Sequence, residues 1–206
     1  MTTAINNTTL PYTGRIELIL GNMFSGKSSE LIRRVRKHMV AKRNCLVIKF
    51  GEDLRYTDET LLSTHDKETI SALSALRLGD IPVKTIEQAD VIAIDEGQFF
   101  SDVYEMADKF ANQGKIVIIS ALNGDFKRVP FDAAQGFGDI ARLVARAEKV
   151  KKLNAICVRC NKDNGAFTAK IAGNKDATKE IGGADLYVPL CRKCYFTTPH
   201  ANSENL

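Results

Sequence analysis

Apolar residues along this chain fall in short blocks, and the blocks alternate between two periods. Residues 15–20 (RIELIL), 45–50 (CLVIKF), 91–95 (VIAID) and 115–122 (KIVIISAL) are β-rich runs of strand length. The run at 91–95 is almost wholly apolar, which suits a parallel strand covered on both faces. Helical period fills the gaps. From Lys27 to about Val40, the residues Leu31, Val35 and Met39 recur every four positions, and a second helical stretch at 102–113 is closed by Gly114. On the first helix Arg33, Arg34, Arg36 and Lys37 take the other side and read as a solvated face. Strands alternating with helices predict an α/β fold, a parallel sheet with right-handed crossovers.

After about residue 148 the alternation stops, and Gly, Asn, Lys and Cys become frequent. Residues 171–185 (IAGNKDATKEIGGAD) form a long segment with little period, and long loops of that kind are usually functional or mobile. The expected division is a loose arm at 1–13, a core at 14–148, a small cysteine-containing domain at 149–196 and a short tail at 197–206.

Composition narrows the class. With 44% hydrophobic residues the chain is not disordered as a whole. No apolar run reaches the ~18 residues of a membrane span. The opening residues have neither the basic start nor the apolar segment of a signal peptide, so a cytoplasmic protein with no membrane partner is expected. A net charge of +4 is too mild to argue for nucleic acid.

Three constellations carry chemistry. Gly21-Asn22-Met23-Phe24-Ser25-Gly26-Lys27-Ser28 matches G-x-x-x-x-G-K-[ST] between a predicted strand and a predicted helix. In such a loop glycines let successive N–H groups point at phosphate oxygens, Lys27 reaches the terminal phosphates and the Ser28 hydroxyl ligates Mg²⁺. Second, Asp95 and Glu96 stand at the C-terminal end of the apolar run, where open α/β sheets bind ligands. Asp95 suits the shell of Mg²⁺, and Glu96, one residue further into the cleft, suits proton abstraction from a nucleophile. That nucleophile is either water or a substrate hydroxyl, and the pair alone does not choose. Third, Cys157-x-x-Cys160 and Cys191-x-x-Cys194 have the spacing of two metal knuckles. Four thiolates leave no open position, so a Zn²⁺ there is structural. Cys45, inside a strand run, reads as a small core residue. Phe99, Phe100, Phe126, Phe131 and Tyr187 supply flat faces for a base, although core packing is the commoner fate of a single Phe.

Taken in order, GNMFSGKS, CLVIKF, the Asp53-x-Arg55 pair, Thr64-His65-Asp66, IDEGQFF, FKRVPF at 126–131, IGGADLY at 181–187 and CRKCY resemble the cytosolic, zinc-containing class of thymidine kinases. The resemblance covers nearly everything from Gly14 to about Phe196. It implies a RecA-like P-loop sheet with a small zinc-ribbon-like domain and a base-gripping "lasso" loop. It implies transfer of the γ-phosphate of ATP–Mg to the 5′-hydroxyl of thymidine, with deoxyuridine as a second substrate, in pyrimidine deoxynucleotide salvage. By that likeness Glu96 is the general base, and Gly21 through Ser28, Asp53, Leu54, Arg55, Asp95, Glu96, Gly97 and Gln98 form the ATP side. Met23, Phe99, Leu122 and Phe131 line the base pocket, Phe126 and Tyr187 contact the substrate, and Thr178, Lys179, Glu180, Ile181 and Gly182 belong to the lasso. The family further implies structural Zn²⁺ on Cys157, Cys160, Cys191 and Cys194, Mg²⁺ on Ser28 and Asp95, a homotetramer, inhibition by dTTP and no nucleic-acid partner. Two other classes compete: a nucleic-acid-stimulated ATPase with a zinc ribbon, and a P-loop module that binds nucleotide without turnover. Retention of Lys27, Asp95 and Glu96 argues against the last.

Overall fold

The apolar runs become strands of one parallel sheet. The computed structural model describes residues 14–51, 61–63, 69–162, 164–173, 180 and 182–197. In chain order the elements are β1 (Arg15–Gly21), α1 (Lys27–Val40), β2 (Cys45–Phe50), β3 (Leu61–Ser63), β4 (Thr69–Ser71), β5 (Leu73–Ala75), α2 (Val83–Gln88), β6 (Val91–Ile94), α3 (Val103–Asn112), β7 (Ile116–Leu122), α4 (Ile140–Leu143), β8 (Lys149–Leu153), β9 (Phe167–Lys170), β10 (Tyr187–Leu190) and α5 (Arg192–Thr197). The main sheet has the order β5-β2-β6-β7-β1-β8, and every neighbouring pair is parallel.

Burial explains why the central strands lack polar alternation. On β6, Val91 and Ala93 face Leu31, Ile32 and Val35 of α1, while Ile92 and Ile94 face Val103, Ala107 and Phe110 of α3. Both faces are covered, as parallel strands joined by helical crossovers require. Two β-pairs stand apart from this sheet, β3 with β4 and β9 with β10, both antiparallel. The β9–β10 pair and α5 enclose a separate small core of Cys157, Ala169, Leu190, Cys194 and Tyr195.

The structure departs from the sequence reading in four places. The sheet continues past residue 148, because β8 pairs with β1 from Glu17↔Lys149 to Gly21↔Leu153. Its Lys149, Lys151 and Lys152 are exposed at the sheet edge, so it carries no apolar signature. The third predicted strand stops at Ile94, since the chain turns sharply at Glu96 with φ 53°. Arg34 is not solvated: it is 6% exposed and bonded to Glu17 and Glu30. Met39, in the last turn of α1, is 47% exposed rather than part of the core stripe. Cys45 is half-buried at the start of β2 and packs beside the α1 face of the core. Among the described residues, no helix is long and apolar enough to cross a membrane.

Candidate active site

The first strand delivers the phosphate loop to the C-terminal edge of the sheet. Gly21 ends β1 opposite Leu122 of β7 and Leu153 of β8. A Cβ at Gly21 would run into the Ser25 hydroxyl and the Leu153 carbonyl, so only glycine fits. Gly26 sits at φ 79° directly before α1, with open space where its side chain would be. That is the cradle a phosphate needs: a left-handed glycine, then the amino end of a fourteen-residue helix. The Ser25 hydroxyl donates to the Asn22 carbonyl at 2.8 Å, and the buried Lys27 ammonium donates to the same oxygen at 3.0 Å. Asn22 is itself buried, accepts from the Ala155 N–H at 3.4 Å, and its side-chain amide nitrogen has no partner among the described residues.

The acid pair meets this loop across one strand. β7 lies between β1 and β6, and its Ser120 is the one polar residue in the middle of an apolar strand. Ser120 donates to Asp95, and the Ser28 hydroxyl lies 3.0 and 3.1 Å from the two Asp95 oxygens. Burial, and then the neighbouring charge of Glu96, pushes the Asp95 carboxyl up to about 6. A hard cation bound between Ser28 and Asp95 would reverse that cost, and a hydroxyl plus a carboxylate is the donor set Mg²⁺ takes in P-loop sites. Glu96 follows in the left-handed region at φ 53°. Its Oε2 accepts from Gln98 Nε2 at 2.6 Å. Gln98 is fully buried, and its Oε1 accepts from the Leu122 N–H at 3.0 Å. Between them, Gly97 is packed so tightly that a Cβ would meet the Ile119 side chain.

An aromatic wall extends from the acid turn. Phe99 is half-buried, 5.3 Å from Phe50 and 6.3 Å from Phe137, which in turn sits edge-on to Phe131 at 4.9 Å. Phe126 and Tyr187 are both buried and flank one ammonium, that of Lys170, at 5.0 and 5.8 Å from the ring centroids. The Tyr187 hydroxyl donates to the Glu180 carbonyl at 2.8 Å. Met23 links the two halves of the site, its N–H donating to the Thr168 hydroxyl of β9 at 3.1 Å. Asp53, Leu54, Arg55, Thr178, Lys179 and Ile181 lie outside the described residues. Of the anticipated base-loop residues, Glu180 and Gly182 are described, both half-buried.

Four residues of evident consequence escaped the sequence reading: Ser120, Thr168, Lys170 and Tyr195. Ser120 had a visible signal as a lone hydroxyl in β7. Thr168 and Lys170 are buried polar positions on β9, but with Phe167, Thr168, Ala169 and Lys170 in succession nothing in the string marks which face is inward.

The cysteines converge as their spacing predicts. The sulfurs of Cys157, Cys160, Cys191 and Cys194 all lie within 4.8 Å of one another, with Cys160 and Cys191 at 3.9 Å. A tetrahedron built on Zn–S bonds of ~2.3 Å has edges of about 3.8 Å, so the donor set and its size suit that ion. The Cys194 N–H points at the Cys191 sulfur at 3.5 Å, and Asn161, at φ 54°, donates to the Cys157 carbonyl at 2.8 Å to close the first knuckle.

A loop strand and an acid strand separated by one further strand, with the phosphate loop leading directly into α1, mark a RecA-like P-loop nucleotide-binding protein. The cysteine-knuckled lobe attached to it narrows the class further. Residues 14–195 match the family model described as thymidine kinase. The chain is 48% identical to a cytosolic thymidine kinase of Bos taurus over 183 residues, covering 89% of this chain and 72% of that one. It is 47% identical to a thymidine kinase of Vaccinia virus (strain Western Reserve) over 182 residues, covering 88% and 97%. With a thymidine kinase of rabbit fibroma virus (strain Kasza) the identity is 45% over 185 residues, covering 90% and 98%. The chain belongs to the thymidine kinase family.

Proposed function

We propose that this chain transfers the γ-phosphoryl group of ATP to the 5′-hydroxyl of thymidine, giving dTMP and ADP, and that it accepts deoxyuridine as well. The supporting observation is the division of labour in the acid pair. Asp95 is engaged with the phosphate-loop Ser28, while Glu96 is held by Gln98. One carboxylate thus serves the nucleotide side, and the other takes the proton.

On this reading the loop amides and Lys27 hold the triphosphate, and Arg55 with Asp53 and Leu54 completes that side. Ser28 and Asp95 hold Mg²⁺, which neutralises phosphate charge when bound. The 5′-oxygen attacks the γ-phosphorus in line; that O–P bond forms as the bond to the β,γ-bridging oxygen breaks. Glu96 accepts the hydroxyl proton. Met23, Phe99, Leu122, Phe126, Phe131 and Tyr187 enclose the nucleoside, and residues 178–182 grip the base. The four cysteines carry a structural Zn²⁺. The protein works in the cytoplasm as a homotetramer and is inhibited by dTTP.

The test is a labelled-ATP assay across the deoxynucleosides, with DNA as a control. Label on thymidine supports the reading. Phosphate released to water only in the presence of DNA would replace it with the nucleic-acid-stimulated ATPase.

A further inference from the structure

We propose that Lys170 and Glu180 are positioning residues for the nucleoside, an ion pair with a buried ammonium and a half-buried carboxylate that sets the rings of Phe126 and Tyr187. The inference rests on the assignment of those two rings to the nucleoside pocket. Lys170 ends β9 with its side chain 1% exposed, and its ammonium lies 2.5 Å from Glu180 Oε2. Burying an ammonium is costly even when it is paired, and an apolar side chain of similar length would fill the space without that cost. A charge kept here therefore needs a use that packing does not supply.

The surroundings show what it organises. The ammonium sits over the Phe126 ring at 5.0 Å and the Tyr187 ring at 5.8 Å, within reach of both π-faces. Tyr187 is in turn fastened to Glu180, through its hydroxyl and the Glu180 carbonyl. The Glu180 carboxylate lies against Gly173, where φ is +82° and any Cβ would collide with it. Lys170, Gly173, Glu180 and Tyr187 thus form one knot, tied by an ion pair, a hydrogen bond and a close glycine contact. The knot holds Gly173 against Glu180 and fixes the angle of two aromatic side chains. Lys170 is enclosed, so its effect reaches a nucleoside only through those neighbours.

Steady-state kinetics of K170M, K170R, E180Q and F126A tests this, with KM for thymidine and for ATP measured separately and melting recorded for each variant. K170M and E180Q should raise the thymidine KM roughly tenfold or more and leave the ATP KM within about twofold. K170R, which keeps the charge, should recover most of the loss. The double variant K170M/E180Q should be no worse than K170M, because the two groups act as a unit. An unchanged thymidine KM in K170M with only a lowered melting temperature would reduce the pair to packing and overturn the proposal. If K170M does not fold, E180Q decides alone, and an unchanged thymidine KM there is equally fatal. F126A separates the two layers: if it too leaves the thymidine KM unmoved, the pocket assignment fails and the inference goes with it.

Discussion

Glu96 carries two constraints in one residue. Its backbone is left-handed, a conformation that costs a residue with a Cβ ~1–2 kcal/mol, and its carboxylate is pinned at 2.6 Å by Gln98. Strain of this kind persists where the surroundings over-determine it, here through Gly97 packed on Ile119 and Gln98 bridging to the Leu122 N–H. Replacing Glu96 with Gln keeps shape and removes the proton acceptor of the proposed mechanism. The kcat should fall by ~10²–10⁴, while ATP affinity measured by titration stays close to the parent's. Gln98→Leu probes the support. It strips the donor from Glu96 and leaves the Leu122 N–H unpaired, so kcat should drop roughly tenfold or more as the carboxylate loses its orientation. A Gln98→Leu enzyme with parental kcat would mean that Glu96 is held by something else. The acid itself was legible as the second carboxylate after an apolar strand. Its fastening two residues on was not, because that contact exists only once the chain has taken the left-handed turn.

Between α1 and the sheet edge, charged side chains do work that an apolar face usually does. Glu17 of β1 is buried and bonded at 2.8 Å to both Arg15 and Arg34; Arg34 reaches Glu30 at 3.1 Å, and Lys151 of β8 reaches Glu30 at 3.2 Å. This network ties β1, α1 and β8 together on the side away from α3. It also shows where sequence pattern stops informing. Strands β1, β2, β6 and β7 and helices α1 and α3 were readable, because burial on known faces imposes a period. β8 was hidden because its lysines pair with acids and solvent rather than with a core, and Arg34 was misassigned because a charge buried by pairing looks, in a string, like a charge in water. Two outcomes follow. Arg34→Met leaves Glu17 buried with one cation fewer, and unfolding stability should fall by about 3 kcal/mol, measurable by urea titration. For Glu30, hydrogen bonding to Arg33, opposed by burial and aided by Arg34 and Lys151, lowers the carboxyl from 4.5 to about 2. A carboxyl whose pKa is lower folded than unfolded stabilises the fold above its unfolded value, and that contribution is lost as pH falls through the folded one. Parent and Glu30→Gln should therefore differ most in melting temperature above pH 4.5 and converge toward about pH 2. A gap that stays constant across that range would remove Glu30 from the account.

At the scale of the molecule, the cysteine lobe is fastened to the loop that carries Phe126, and in the proposed function it braces the nucleoside wall. Tyr195, in the helix α5 that carries Cys194, donates its hydroxyl to the Phe126 carbonyl at 2.6 Å. Arg128, two residues further along that loop, lays its guanidinium over Tyr195 and Phe196 at 5.3 and 4.6 Å. On the other side of the lobe, the Thr168 hydroxyl receives the Met23 N–H of the phosphate loop. Metal binding contributes folding energy to small lobes of this sort, because the site forms only in the folded chain. Losing the ion should then be felt first where the lobe touches Phe126, and less at the phosphate loop, which is also held by Lys27, Ser25 and the sheet. Cys157→Ser, or metal stripped by a chelator, should lower the melting temperature and raise the thymidine KM more than the ATP KM. Tyr195→Phe isolates the link without touching the cysteines. With metal content unchanged by elemental analysis, it removes the Tyr195 hydrogen bond to the Phe126 carbonyl, worth ~1 kcal/mol or about fivefold in thymidine KM. Should stripped protein lose affinity for both substrates equally while Tyr195→Phe behaves as the parent, the lobe stabilises the chain as a whole and does not brace the wall. A thymidine-selective loss in both, graded from the tyrosine variant to the metal-free protein, is what a brace running from the sulfurs through α5 to Phe126 requires.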